Sequence, residues 1–232
     1  MGFAFQQASQ LGAPTVMTNL WNSGKLERNM ASLLVDRSLG HIGDLVGALY
    51  LGGYDPSKLH EPIFQHPVRT GYIQPHGGFW GLKATGLQVN NGTGPIDLVS
   101  GSNYAMLSTS NPLILVSLKT FFALMQVIAP DRMDQIGWYD SGMRAWLQAC
   151  DDMPVFPPVT LFIDGAPYVM TPEDLLLKST AAEGLCFFAI GGFDQPAEQE
   201  PMWILGTSFF QHRYTLLDYE NRVVTIGRSQ SL

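Results

Sequence analysis

The chain has 232 residues, of which 46% are apolar and 14% charged, with 24 glycines, 15 prolines and 2 cysteines. This length and composition exclude a disordered chain, a cysteine-rich zinc module and a disulfide scaffold. The formal net charge of −7 argues against nucleic acid or an anionic membrane as partner, and no apolar run in the sequence reaches the roughly 20 residues of a membrane span.

The predicted elements are short strands with two helices among them. Apolar residues at helical spacing predict a short helix over residues 16–21, which ends at Asn22-Ser23-Gly24. A second helix is predicted over residues 112–128, between the signals Asn111-Pro112 and Ala129-Pro130. A helical turn is predicted at 172–177. The other apolar runs are β-type and are separated by turn residues: 32–35, 45–50, 68–73, 79–89, 159–163, 168–170, 186–190, 203–205, 215–218 and 223–226. This rhythm predicts a mainly β chain of antiparallel sheets.

Seven motifs follow one another along the chain: Gly2-Phe-Ala-Phe, Thr18-Asn-Leu-Trp-Asn-Ser-Gly-Lys-Leu, Leu51-Gly-Gly-Tyr-Asp-Pro-Ser-Lys-Leu, Gly78-Phe-Trp-Gly-Leu, Pro157-Pro-Val-Thr-Leu-Phe-Ile-Asp-Gly, Trp203-Ile-Leu-Gly and Thr215-Leu-Leu-Asp-Tyr-Glu-Asn-Arg-Val. In this order they resemble the carboxy-terminal lobe of the pepsin-like aspartic proteases. The resemblance implies a single lobe over residues 1–232, with residues 1–35 as the remnant of the interlobe segment. It also implies a disulfide between Cys150 and Cys186, although a cytosolic location would favour two thiols.

The same resemblance implies a catalytic loop that reads apolar-apolar-Asp-(Thr/Ser)-Gly-(Ser/Thr). Aspartic proteases need two carboxylates, one from each lobe, that share a proton. The Asp-Thr-Gly and flap of the amino-terminal lobe have no counterpart in these 232 residues. We match the second loop to residues 96–104, where Val99 or a deletion replaces the aspartate. Asp97 is the candidate catalytic residue, but it would lie roughly 6–7 Å from the Val99 position. Thr207 also stands where the family usually has an aspartate.

Other sequence features are interpreted as structural. Asp140-Ser141-Gly142 spells the catalytic tripeptide but is predicted to be a hairpin turn. The histidines at 41, 60, 66, 76 and 212 lack metal-ligand spacing, so neither a metal site nor a cofactor is predicted. Asn91-Gly92-Thr93 is a glycosylation sequon, which we interpret as a turn because the first residues do not resemble a signal peptide. For the same reason the expected location is cytoplasmic.

Three functions remain open at this stage. The first is a non-peptidase role, in which an apolar concave face binds a hydrophobic small molecule or speeds its cyclisation or isomerisation by positioning. The residues predicted to line that face are Phe79, Trp80, Leu98, Val99, Ser100, Ser102 and Tyr104. The second is a pseudo-protease that binds a partner, and the third is a dimeric peptidase that uses Asp97. Because a single lobe leaves one face uncovered, a homodimer is expected.

Overall fold

The computed structural model describes residues 2–9, 12–36, 46–69, 78–138, 143–178, 183–195 and 202–229. The predicted mainly β fold is confirmed, since these residues form sixteen strands and three α-helices. The helices are α1 (Val16–Asn22), α2 (Leu118–Ile128) and α3 (Thr207–Phe210). The strands are β1 (Met30–Asp36), β2 (Val46–Leu51), β3 (Leu59–Pro67), β4 (Gly81–Asn90), β5 (Pro95–Leu107), β6 (Ile114–Ser117), β7 (Ile136–Trp138), β8 (Met143–Ala149), β9 (Val159–Ile163), β10 (Ala166–Met170), β11 (Leu176–Lys178), β12 (Leu185–Phe188), β13 (Ile190–Phe193), β14 (Met202–Leu205), β15 (Arg213–Asp218) and β16 (Val223–Ser229).

Some predicted features lie outside the described residues. They are Leu45, His41, His76, residues 70–73 of one predicted strand, and Asp140-Ser141-Gly142. Among the helices that the structure does describe, none is both long enough and apolar enough to cross a membrane.

A first compact unit comprises Met1–Gly40, Asp44–Leu82 and Phe210–Leu232. Its described strands form an antiparallel sheet in the order β2, β1, β15, β16, β3. The core on this sheet is built from Met30, Leu34, Tyr214 and Leu216. The predicted hairpin between β15 and β16 is confirmed, because the two strands pair from Asp218 and Val223 onward.

The Tyr214 hydroxyl fixes a loop of this unit to the sheet. The Ser32 hydroxyl donates to the Gly53 carbonyl at 3.0 Å, and it lies 2.9 Å from the Tyr214 hydroxyl. Since a serine has one hydroxyl proton, Tyr214 is the donor to Ser32, and its oxygen accepts from the Asp55 amide at 2.9 Å. Burial raises the pKa of Tyr214, so the hydroxyl keeps its proton in this network.

A second unit comprises His41–Gly43 and Lys83–Phe209. Its described strands form one mixed sheet in the order β10, β9, β4, β5, β14, β6, β13, β8, β12, β11, with β7 paired to β8. Two neighbouring pairs, β5 with β14 and β6 with β13, are parallel. Helix α2 packs on β13, where a side chain added at Gly192 would come within 2.8 Å of the Phe121 Cβ. The core includes Leu113, Leu115, Ala145, Leu177 and Ala189.

The prediction of one helix over residues 112–128 is wrong in its first third. Residues Ile114–Ser117 form strand β6 between β14 and β13, and α2 begins only at Leu118. Ser117 caps this helix, because its hydroxyl accepts the Thr120 amide at 3.2 Å. A short run of apolar residues fits a buried strand as well as a buried helix, so periodicity could not separate them.

The sulfur atoms of Cys150 and Cys186 are bonded, and the two Cα atoms lie 4.9 Å apart. Cys150 follows β8 directly, while Cys186 lies within β12, which pairs with β8. The disulfide therefore joins β12 to the turn that follows its neighbour β8.

Candidate functional site

The residues predicted to line a ligand face divide between the two units. Phe79 and Trp80 belong to the first unit, and the others lie on β5 in the second. The segment around Val99, which we expected to form the catalytic loop, is instead the middle of β5. Whether these side chains bind a ligand stays a prediction.

Trp80 is a packing residue in its described contacts. Its indole is 4% exposed and donates to the Phe3 carbonyl at 2.6 Å. The ring lies 4.3 Å from the Phe5 ring and 4.9 Å from the Tyr219 ring. The Tyr219 hydroxyl donates to the same Phe3 carbonyl at 2.7 Å. This aromatic cluster holds the first residues of the chain against the first unit; Phe79 beside it is half-buried.

On β5, the predicted residues differ in their exposure. Asp97 is exposed, and its carboxylate accepts a hydrogen bond from the Gln88 amide at 2.9 Å. Leu98 and Val99 are half-buried, whereas Tyr104 is 3% exposed. The remaining two predicted residues, Ser100 and Ser102, are exposed.

A different part of the second unit brings the ends of two strands together. Strands β5 and β14 run parallel, with Tyr104 opposite Met202 and Leu107 opposite Leu205. The carboxyl ends of these two strands therefore lie side by side at the same end of the sheet. The chain continues from each of them into a turn, and the two turns are adjacent. We call the residues Ser108–Asn111, Gly206 and Thr207 the paired turns.

Backbone hydrogen bonds hold the paired turns together. The Ser108 amide donates to the Leu205 carbonyl at 3.0 Å, and the Thr207 amide donates to the Asn111 carbonyl at 2.7 Å. The Asn111 side-chain oxygen also accepts the Leu113 amide at 2.9 Å. These bonds fix the main chain of both turns, which carries the hydroxyl side chains.

Gly206 is the point of closest approach between the two turns. A Cβ at this position would lie 2.0 Å from the Leu113 carbonyl oxygen and 2.5 Å from that of Asn111. These distances are far below any real contact of a Cβ atom, so only glycine fits here.

The first turn gives a second match to the family's catalytic pattern, with fewer matching residues than 96–104 but placed where β5 ends instead of in its middle. Met106 and Leu107 are the two apolar residues, Ser108 takes the place of the aspartate, and Thr109 matches. Ser110 replaces the glycine. The signal available in the sequence was a pair of apolar residues followed two positions later by threonine. Gly101 favours the match to residues 96–104, because residues 108–111 contain no glycine.

The chemistry of the paired turns is that of hydroxyls. Ser108 is half-buried, and its Oγ lies 3.0 Å from the Ser110 Oγ. A serine hydroxyl cannot replace either carboxylate of a pair that shares one proton. Neither hydroxyl is a base that could activate the other as a nucleophile. Thr207 adds a fourth hydroxyl residue to Ser108, Thr109 and Ser110, and it too stands where an aspartate is usual in the family. In the described ranges, no group of three or more His, Cys, Asp or Glu residues could hold a metal ion.

Comparison with known proteins shows the family of the chain. A sequence profile described as eukaryotic aspartyl protease matches residues 1–229. The chain belongs to this family. It is 27% identical to cathepsin D of Chionodraco hamatus over 96% of the chain and 52% of that protein. It is 26% identical to renin of Canis lupus familiaris over 95% of the chain and 50% of that protein. It is 28% identical to cathepsin D of Gallus gallus over 98% of the chain and 53% of that protein. The chain thus spans about half the length of these relatives.

Proposed function

We propose that this eukaryotic aspartyl protease homologue is a non-peptidase that binds a ligand at its paired turns. Ser108 carries the proposal, because a hydroxyl stands at the position that the family pattern gives to an aspartate. The two-carboxylate mechanism needs an acid and a base that share one proton. Even if another lobe or chain supplied one carboxylate, the first turn would offer no second one.

The proposed ligand is a small, largely hydrophobic molecule with at least one hydrogen-bonding group. Three hydroxyl side chains, those of Ser108, Thr109 and Ser110, follow one another at the end of β5, and the last two are exposed. They can donate to a carbonyl or accept from a hydroxyl of the ligand. If the ligand is also cyclised or isomerised, the acceleration would come from holding its reactive conformation, because these hydroxyls cannot exchange protons at neutral pH as a general acid or base does.

A digestion assay tests the non-peptidase part of the proposal. The purified chain and its Asp97→Asn and Ser108→Ala variants are incubated with a denatured protein substrate from acid to neutral pH. We expect no cleavage by any of them. Cleavage that is lost only in Asp97→Asn would overturn the proposal in favour of a peptidase that uses Asp97. Cleavage lost only in Ser108→Ala would also overturn it and would make Ser108 a nucleophile.

A retention assay tests the binding part. Small molecules that copurify with the chain are identified by native mass spectrometry, and their affinities for Ser108→Ala and Ser100→Ala are compared. Ser100 is the matched control, since it is an exposed serine of β5 in the segment first predicted as the loop. Loss of one hydrogen bond of about 0.5–1.5 kcal/mol should weaken binding about two- to tenfold in Ser108→Ala only. The reverse pattern would place the ligand at residues 98–104.

A second candidate function, partner binding, is favoured by strand β2. Among the described strands, β2 pairs only with β1 and stands at one end of the sheet of the first unit. Leu49 and Leu51 project from one face of this strand and are 46% and 39% exposed. Edge strands of this kind pair readily with another chain, and we propose a second copy as that partner.

The oligomeric state tests this second candidate. Light scattering at micromolar concentration should give a dimer for the parent chain and a monomer for Leu49→Lys. Leu147→Lys is the control, because Leu147 is 42% exposed but lies on β8, which is flanked by other strands on both sides. A monomeric parent chain, or a dimer that persists in Leu49→Lys, would exclude the β2 interface.

A further inference from the structure

Asn91 lies at the tip of an exposed turn between β4 and β5. The sequence Asn91-Gly92-Thr93 is the only Asn-x-Ser/Thr sequon among the 232 residues. All three residues are exposed, as is Asn90 before them. Gly92 has a φ of +89°, which a side chain would disfavour and which lets the chain reverse at this point. An enzyme could therefore approach the sequon without disturbing the sheet.

The described hydrogen bonds of the turn involve the oxygen of the Asn91 carboxamide and not its nitrogen. Its Oδ1 accepts the Thr93 hydroxyl at 2.7 Å and the Thr93 amide at 3.2 Å. Within the part of the chain that the structure describes, Nδ2 has no hydrogen-bond partner. The amide nitrogen is the atom to which an N-linked sugar is attached. The hydroxyl of Thr93, at the third position of the sequon, already donates a hydrogen bond to the same side chain.

We propose that Asn91 is the acceptor of an N-linked glycan. In the transfer, Asn91 Nδ2 forms a bond to the anomeric carbon of an oligosaccharide carried on a lipid pyrophosphate. The bond between that carbon and the pyrophosphate oxygen breaks, and the lipid pyrophosphate leaves with the electron pair. The amide nitrogen gives one proton to a base of the transferring enzyme. No oxidant or reductant is needed.

The disulfide gives independent support for exposure to the compartment where such transfer occurs. Disulfides form and persist in secretory and extracellular environments and are rare in the cytosol. The Cys150–Cys186 bond lies in the same unit as the β4–β5 turn. A sequon on an exposed turn and a disulfide in one unit both fit a chain that passes through the secretory pathway, in place of the cytoplasmic location that we first expected.

The glycan can be tested on the full chain, expressed in eukaryotic cells behind a secretory leader. Intact mass is measured before and after treatment with peptide-N-glycosidase, which removes the sugar and leaves a carboxylate at residue 91. We expect a glycan on the parent chain, on Thr93→Ser and on the matched control Asn90→Gln. We expect none on Asn91→Gln or Thr93→Ala.

Two results would overturn the proposal. One is a secreted parent chain that has the Cys150–Cys186 bond but carries no glycan at Asn91. The other is a glycan that persists in Asn91→Gln or Thr93→Ala. If Asn91→Gln is not secreted, Thr93→Ala decides, because it removes the sequon and leaves the asparagine in the turn. Thr93→Ser then shows that the loss follows from the missing hydroxyl and not from a change of fold.

Discussion

Replacing Gly206 by alanine should open the paired turns. The new Cβ would lie 2.0 Å from the Leu113 carbonyl oxygen and 2.5 Å from that of Asn111, and real Cβ atoms do not approach closer than 3.0 Å. The two oxygens would have to retreat by about 1.0 and 0.5 Å. Leu113 cannot follow freely because it is buried in the core, and the bond from the Thr207 amide to the Asn111 carbonyl would break. Overpacking of about 1–3 kcal/mol and one lost hydrogen bond of about 1 kcal/mol predict a destabilisation of about 2–4 kcal/mol.

Thermal unfolding with a matched control measures this effect. For a chain of this size, each kcal/mol corresponds to about 2–4 °C, so Gly206→Ala should lower Tm by about 4–16 °C. Gly137→Ala is the control, because a Cβ at Gly137, on β7 of the same unit, meets nothing within 4 Å. That variant should stay within about 0.5 kcal/mol of the parent chain. Equal Tm values for the two variants would show that the turns do not approach each other as described.

Three further changes probe both units. Replacing Cys150 and Cys186 together by alanine should lower the free energy of unfolding by about 4 kcal/mol, because the disulfide closes a loop whose ends are 36 residues apart. An unchanged midpoint of denaturant unfolding would contradict the bond. Tyr214→Phe should lower the free energy of unfolding by about 1–3 kcal/mol, because the Asp55 amide and the Ser32 hydroxyl lose their partner. Tyr50→Phe is the control, since the Tyr50 hydroxyl has no described hydrogen bond, and an equal loss in that variant would refute this reasoning. Burial raises the pKa of Tyr219, so the unfolded chain loses that proton first as the pH rises above about 10. Above pH 10 the parent chain should therefore lose unfolding free energy relative to Tyr219→Phe, by up to about 1.4 kcal/mol per pH unit. A difference between the two chains that does not change with pH would refute the burial argument.

The parts of the fold that the sequence predicted well are those with strong local signals. Helix α1 ends where Asn22-Ser23-Gly24 interrupts its apolar spacing, and the β15–β16 hairpin follows from two apolar runs around four turn residues. Strand β5 gave no such signal. Its middle, Ser100-Gly101-Ser102, is polar and exposed, so it has neither the alternation of a half-buried strand nor the apolar run of a central one. We therefore expected a loop where the chain continues as a strand.

The position of the site could not be found from its chemistry, because the residue that would mark it is a serine. The bonds that define the paired turns are made mainly by main-chain atoms of Ser108, Asn111, Leu205 and Thr207, and the side chain that contributes most is that of Asn111. None of these bonds uses a carboxylate. The turns therefore do not need an aspartate at position 108 to keep this geometry, whereas they do need the glycine at 206 that lets them approach each other. The geometry of the turns thus depends on Gly206, whereas the proposed loss of peptidase chemistry depends on position 108, so a fold of this kind can persist where acid–base chemistry does not.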